Sequence, residues 1–485
     1  MGRSHHGCTR CKRRRQKCSE EKPSCKRCQD AGALCNYAIV LKWEGRVPRR
    51  AEPKRAGNRS SKSLVSPTKS PTPPAEFQGI NYLDPLSGLP YTHRMLLHHF
   101  VTKCSLVACH RHIRTQICDM IFPMILQIPS LMFATIARSA LHLNTLRRPE
   151  LVDFALEEDV SSFMAKSLQC LRQELQTADP KTRFSLLPTI RTLFICEIYS
   201  GKADNSWRIH MEGAKALIES TRTNISQENL ESDAVHHWIS IRWFESVQSL
   251  AALTQRIQHE EQWQRGPRPL LCDQGEQSGV LDLYSGYTID LDAVFREIGA
   301  AAWERQQLDN MPNNGSQLLE MNLRNRAKWL EHSVRAMISR DSRMGPALAP
   351  DTSLSKEEAT QFSVCNLAYQ YSALIHIYRR VQKLPSSAAN VQDCVRRILD
   401  TVIGILPVSE LSPWVLLTTP IFTAGHEAMG EDRIKAKGLL VKLYEKLKIR
   451  NTLRSAHILE ASWSGNLSEM INPTGNDHVL DFIPY

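Results

Sequence analysis

Cys8-Thr9-Arg10-Cys11-Lys12-Arg13-Arg14-Arg15-Gln16-Lys17-Cys18, followed by Cys25-Lys26-Arg27-Cys28 and then Cys35, is the stretch on which the reading of this chain turns. The unit Cys-x2-Cys-x6-Cys occurs twice with identical spacing, at Cys8, Cys11 and Cys18 and again at Cys25, Cys28 and Cys35. A Cys-x2-Cys turn presents two thiolates to one ion, and six intervening residues make roughly a turn and a half of helix that carries the third sulfur within reach. Three thiolates do not close a structural zinc site, and two separate tetrahedra would need more sulfurs than the segment has. Two sulfurs must therefore bridge both metals, and the repeat symmetry selects Cys8 and Cys25, the first of each unit. The expected cofactor is a pair of Zn2+ ions, with Cys8, Cys11, Cys18, Cys25, Cys28 and Cys35 as ligands.

Other uses of the cysteines fit less well. The eight cysteines outside this cluster are scattered singly, which is a site and not a chain-wide disulfide framework. Disulfides need an oxidising compartment, and the polar, basic opening Met1 to Gly7 has no apolar run of a secretory signal behind it. A copper store would show Cys-x-Cys pairs, and a redox Cys-x-x-Cys would be a single pair in a βαβ setting; neither pattern is present.

Charge points to the partner. The formal net charge is +11, yet Met1 to Lys62 holds 18 Lys and Arg against 5 Asp and Glu, and the remainder 43 against 45. All of the excess positive charge sits at the N-terminus, as expected of a segment that neutralises phosphates. Six thiolates with two Zn2+ carry a net −2, so the cationic run Lys12 to Lys17 has two electrostatic partners, the cluster beneath it and DNA outside.

Ligand by ligand, Cys8 through Cys35 resembles the fungal zinc binuclear cluster (Zn2Cys6) DNA-binding domain, including the basic first helix and a loop proline, Pro23, two residues before the fourth cysteine. The resemblance implies one zinc on Cys8, Cys11, Cys18 and Cys25 and the other on Cys8, Cys25, Cys28 and Cys35. It also implies that the end of the first helix reads a CGG triplet in the major groove of double-stranded DNA. Arg14 and Arg15 match the family's base-reading positions, where arginine can fork onto guanine O6 and N7. Lys12, Arg13, Lys17, Lys26 and Arg27 are expected to contact phosphate, which positions the module without specifying sequence.

From Lys42 to Ala75 the chain turns to Arg, Lys, Ser and Pro, and apolar periodicity disappears. This reads as a linker, extended where proline is dense. Between Asn36 and Pro85 there is no a/d heptad run of the kind that pairs subunits. Monomeric binding and homodimerisation through the remainder of the chain both stay open.

From Tyr91 onward apolar residues recur at helical spacing, with Thr189, Leu193 and Ile198, then Ala214, Leu217 and Ile218, as candidate core faces. Met120 to Ala137 is uncharged, but Pro123 and Pro129 and its three-to-four periodicity favour a buried helix pair over a membrane span. The segments Pro85–Tyr91 with the helices after it, Leu193–Gly201, Trp207–Leu217, and Trp414–Glu427 through Arg454 and Trp463, together spanning most of residues 80 to 465, are similar to the helical fungal-specific transcription factor domain. That resemblance implies a regulatory domain, responsive in some members to a small-molecule effector.

The expected organisation is mainly α: a small two-helix Zn2Cys6 module over 1–43, a flexible basic linker over 44–80, and a large all-helical regulatory domain over 81–485. His426-Glu427-Ala428-Met429-Gly430 opens like a zincin motif, but Gly430 stands where the second histidine is required. No phosphate loop, dinucleotide fingerprint or nucleophile elbow is found, so no enzyme is expected. His110 and His112 near Cys104, Cys109 and Cys118 are irregularly spaced and read as ordinary helix residues, as do Glu197, Trp207 and His210. The expected function is a nuclear, zinc-dependent transcription factor that reads CGG-type promoter sites and acts with the RNA polymerase II machinery or co-regulators on metabolic or biosynthetic genes. The competing reading is a metabolite-binding or catalytic helical protein that the zinc module merely localises on chromatin.

Overall fold

A computed structural model describes residues 8, 10–11, 14, 16–21, 24–33, 35, 86–147, 158–179, 182–201, 206–224, 238–254, 279–310, 316–350, 352–405 and 411–466. The basic linker and the rest of the stretch between Asn36 and Pro85 lie outside them. The chain divides into two compact units, Met1–Ile80 and Asn81–Tyr485. In the first, the described residues contain one short helix, Lys26–Gln29, and a helical turn at Arg10 and Cys11.

The second unit is built from helices. Its longer ones are α1 (Tyr91–Thr102), α2 (Pro129–Arg147), α3 (Glu158–Thr177), α4 (Leu187–Ser200), α5 (Ser206–Asn224), α6 (Trp238–Ala251), α7 (Leu291–Asp309), α8 (Ser316–Met344), α9 (Lys356–His376), α10 (Ala389–Ile403), α11 (Thr418–Glu427), α12 (Glu431–Leu447) and α13 (Arg450–Ser464). Among the described residues there is no strand, only two isolated bridges, Val280 with Ala347 and Leu281 with Thr288. Local chemistry accounts for the helix ends. Ser355 caps α9 in a reciprocal box with Glu358, satisfying two backbone donors that the first turn leaves free. Pro188 sits in the first turn of α4, where no helical hydrogen bond is lost, and Gly201 closes that helix at φ +75°.

One hydrophobic core runs through the unit. Helices α2 and α4 form its middle: α2 packs on α1, α3 and α4, while α4 packs on α5, α6 and α13. Thr189, Leu193, Ile198, Ala214, Leu217 and Ile218 are all buried, as their periodicity predicts. Phe194 anchors a cluster of edge-on rings, 5.2 Å from Trp243 and 6.3 Å from Trp207. The uncharged Met120–Ala137 stretch is broken at Ile128 (φ −113°, ψ 101°) between a short helix, Phe122–Gln127, and α2, which begins at Pro129. Among the described residues no helix is long and apolar enough to cross a membrane.

The irregular segment 279–290 passes through this core, so its polar groups need partners inside. Arg242 of α6 holds one side: its Nε lies 2.6 Å from Asp282 and its Nη1 2.5 Å from Asp292, and Asp292 also accepts from the Tyr287 hydroxyl at 2.8 Å. On the other side, the Thr288 N–H donates to Asn366, whose amide donates to Asp341 of α8. Gly286 (φ +81°) allows the turn, because a Cβ there would lie 2.6 Å from Leu416 and 2.8 Å from Cys365.

Breaking such a pair leaves charges buried without compensation. Arg242→Met is therefore expected to cost about 3–5 kcal/mol of stability in urea denaturation of the full chain. A loss below about 1 kcal/mol would mean that the two aspartates find other partners.

Candidate metal centre and nucleic-acid interface

The two cysteine repeats make equivalent backbone contacts. In the first, the Cys8 N–H donates to the Cys18 sulfur at 3.4 Å; in the second, the Cys25 N–H donates to the Cys35 sulfur at 3.3 Å. Cys25 precedes the helix Lys26–Gln29, and the Cys28 N–H returns to the Cys25 carbonyl at 2.9 Å, so both sulfurs of that turn face the same side. In the first repeat the Arg14 N–H reaches the Arg10 carbonyl and the Gln16 N–H that of Cys11, which is the helical turn required to bring Cys18 back.

The result is two groups of four sulfurs, Cys8, Cys11, Cys18, Cys25 and Cys8, Cys25, Cys28, Cys35, each with its donor atoms within 4.8 Å of one another. Cys8 and Cys25 are common to both. Sulfur separations are 3.8 Å for Cys8 to Cys25, 3.6 Å for Cys8 to Cys28 and 3.8 Å for Cys11 to Cys25. A zinc tetrahedron with Zn–S of about 2.3 Å has edges of about 3.8 Å, whereas a disulfide would bring the sulfurs to about 2.0 Å. The donor set therefore fits two zinc ions sharing two ligands and does not fit disulfides.

Five of the sulfurs are buried and Cys35 is half-buried. Without a cation, burial pushes the Cys8 thiol up to about 12 and that of Cys25 higher still. Cys35, which accepts the Cys25 N–H, is lowered to about 7. Zinc must displace protons from the buried sulfurs to bind, and when bound it cross-links the module and neutralises most of the thiolate charge. Arg10 adds to this: its guanidinium sits 3.8 Å from the Cys28 sulfur and 3.4 Å from the Arg27 carbonyl, joining the two repeats. Sequence reading missed Arg10; its signal was a cation inside the first Cys-x2-Cys turn.

Arg14, Lys17, Lys26 and Arg27 are exposed, on both repeats. Lys12, Arg13, Arg15 and the loop residue Pro23 lie outside the described residues.

The other groups weighed from sequence have structural partners. Cys109 donates to the Leu283 carbonyl at 2.8 Å, His110 caps the helix Arg111–Gln116, and His112 stacks on Trp238 at 6.1 Å. Cys104 instead meets His99 and His142, and those two rings are hydrogen-bonded at 2.9 Å. Glu197 accepts from Ser206 and lies 4.0 Å from His210, and Trp207 is buried against Phe194. Glu427 of the truncated zincin-like run is buried, yet hydrogen bonds from His426 and Ser386 and the charge of Arg379 bring it down to about 2. It serves as a clamp on Arg379 at 2.6 Å and Ser386 at 2.5 Å.

Compared with known proteins, the chain matches the fungal specific transcription factor domain over residues 95–473 and the fungal Zn(2)-Cys(6) binuclear cluster domain over residues 6–44. It is 37% identical over 88 residues to the aspercryptin biosynthesis cluster-specific transcription regulator of Emericella nidulans, an overlap of 17% of this chain and 14% of the relative. It is 42% identical over 59 residues to the aflatoxin biosynthesis regulatory protein of Aspergillus flavus and to that of Aspergillus parasiticus, 12% of this chain and 13% of each relative. No solved structure matches the chain.

The geometry sets an order of severity for ligand loss. Cys25→Ser removes a sulfur common to both groups and is expected to lower the zinc content from two ions to none in native mass spectrometry, whereas Cys35→Ser leaves one. Zinc loading should also weaken as the pH falls, because protons compete for the same sulfurs; two ions retained by Cys25→Ser would show that the sharing is wrong.

Proposed function

Because the chain belongs to the family of fungal specific transcription factor domain proteins and carries a binuclear zinc cluster domain that binds two zinc ions, we propose that it is a nuclear, sequence-specific DNA-binding regulator of RNA polymerase II transcription. In this reading residues 1–43 dock on a CGG-containing promoter site, 44–80 tether them, and 81–485 form the regulatory domain that acts on the transcription machinery and has no catalytic role. The observation that carries it is the pairing of a two-metal sulfur cluster with exposed cations on both repeats, Arg14 and Lys17 on one and Lys26 and Arg27 on the other. Zinc fixes the backbone that presents those cations, so a fold-dependent, rigid cationic face meets the duplex and not a loose basic tail.

Arg14 and Arg15 are assigned to guanine edges, and Lys12, Arg13, Lys17, Lys26 and Arg27 to phosphates. The six cysteines are assigned as the ligands, with Cys8 and Cys25 bridging. The named relatives regulate aspercryptin and aflatoxin biosynthesis, which supports a secondary-metabolite gene cluster as the class of target.

Binding selection on random duplexes with the full chain tests this. CGG triplets are expected to be enriched, with the enrichment lost on zinc chelation, and single or paired triplets report monomer or dimer. Arg15→Ala should lose discrimination by about 1–3 kcal/mol per contact removed, while Lys17→Ala should weaken all duplexes alike and flatten the salt dependence. No enrichment from the zinc-loaded protein would overturn sequence-specific recognition.

A further inference from the structure

Arg138 of α2 and Arg191 of α4 are buried to the same degree as Arg242, each 5% exposed. Arg242 has Asp282 and Asp292, and Arg305, 8% exposed, has Glu320. Neither Arg138 nor Arg191 forms an ion pair or donates a hydrogen bond among the described residues, and the Nε of each is left without an acceptor. Aromatic faces lie against them: Arg138 is 5.5 Å from the ring centres of Phe100 and Tyr199, and Arg191 5.8 Å from that of Tyr284. A cation–π contact returns less than burying a guanidinium takes from its hydration, so the two cations lack a counter-charge.

Their neighbours supply none. Burial pushes the Cys104 thiol beside Arg138 up to about 11 and holds the His142 imidazole down at about 4, so both are uncharged near neutrality. Asp282, two residues from Tyr284, is already engaged by Arg242.

Both arginines line one cavity of about 90 Å3. On α4, Arg191, Ile195 and Tyr199 all face it, at the spacing of one helical stripe. Val415, Leu447 and Ile449 line it as well. The wall is thus mostly apolar, with two cations set into it, which is the composition of a site for an organic anion and not for a hydrated inorganic one. The volume is smaller than the roughly 150 Å3 that takes up benzene.

We propose that this cavity in the helical unit binds a short-chain organic acid, its carboxylate held by Arg138 and Arg191 and its aliphatic body against Ile195, Val415, Leu447 and Ile449. The anion supplies the missing counter-charge and ties α2 and α4, the middle of the core, to the segments before α11 and after α12. This deepens the regulatory reading of the helical unit and rests on it for its biological meaning; the binding itself does not.

Calorimetry of the zinc-loaded full chain at neutral pH, with sodium propionate, uncharged propionamide and inorganic phosphate as probes, tests it. Propionate is expected to bind saturably, and propionamide and phosphate at least tenfold more weakly. Arg138→Met and Arg191→Met should each weaken propionate at least tenfold. Should a methionine variant fail to fold by far-UV circular dichroism, Arg191→Lys, which keeps the charge but loses the two-pronged geometry, is expected to weaken propionate as well. Equal binding of propionate and propionamide, no binding of propionate, phosphate binding tighter than propionate, or propionate binding indifferent to every arginine variant would each overturn the proposal. DNA selection by the same preparations separates the two readings: an empty cavity with CGG enrichment intact sinks the anion site alone.

Discussion

Two zinc tetrahedra require eight sulfur contacts, and the N-terminal segment places six sulfurs near one another, with Cys8 and Cys25 common to both groups. The rest of that unit follows from the sharing. A segment this short cannot bury enough apolar surface to fold unaided, and among its described residues the buried ones are cysteines. Metal binding is then its folding free energy, and the positions of the cations on its surface depend on the cluster below. The repeated N–H to sulfur contact, Cys8 to Cys18 and Cys25 to Cys35, shows the same local solution used twice.

The helical unit is governed by a different balance. Its core is large enough to be stable from apolar burial, and it therefore tolerates charges inside, provided each finds a partner. Arg242 is the fully compensated case: two aspartates and a serine hydroxyl pin the irregular 279–290 segment into a helical core. Arg138 and Arg191 are the uncompensated case at equal burial. A protein retains such groups at a cost, and the cavity between them offers a reason.

The zinc module was legible because its chemistry depends on spacing along the chain. Thiolates at fixed intervals within about thirty residues can reach a common ion through local turns alone, so counting the cysteines was enough to require shared ligands. Helical periodicity likewise exposed the core faces around Leu193 and Leu217, and the prolines at 123 and 129 marked the break that separates the two helices there. Arg10 was missed because its role is defined by Cys28 and the Arg27 carbonyl, on the other repeat.

By itself the sequence determined the metal, the ligand spacing, the basic character of the N-terminal segment and the helical class of the remainder, since each is set by near neighbours in the chain. Tertiary structure alone decided which buried arginines have counter-charges. Asp282 lies 40 residues from Arg242, and Arg138 and Arg191 come from different helices to one cavity. No local pattern distinguishes Arg138 or Arg191 from Arg242, because the difference between a satisfied and an unsatisfied buried cation lies in what the folded chain brings within about 3 Å of it.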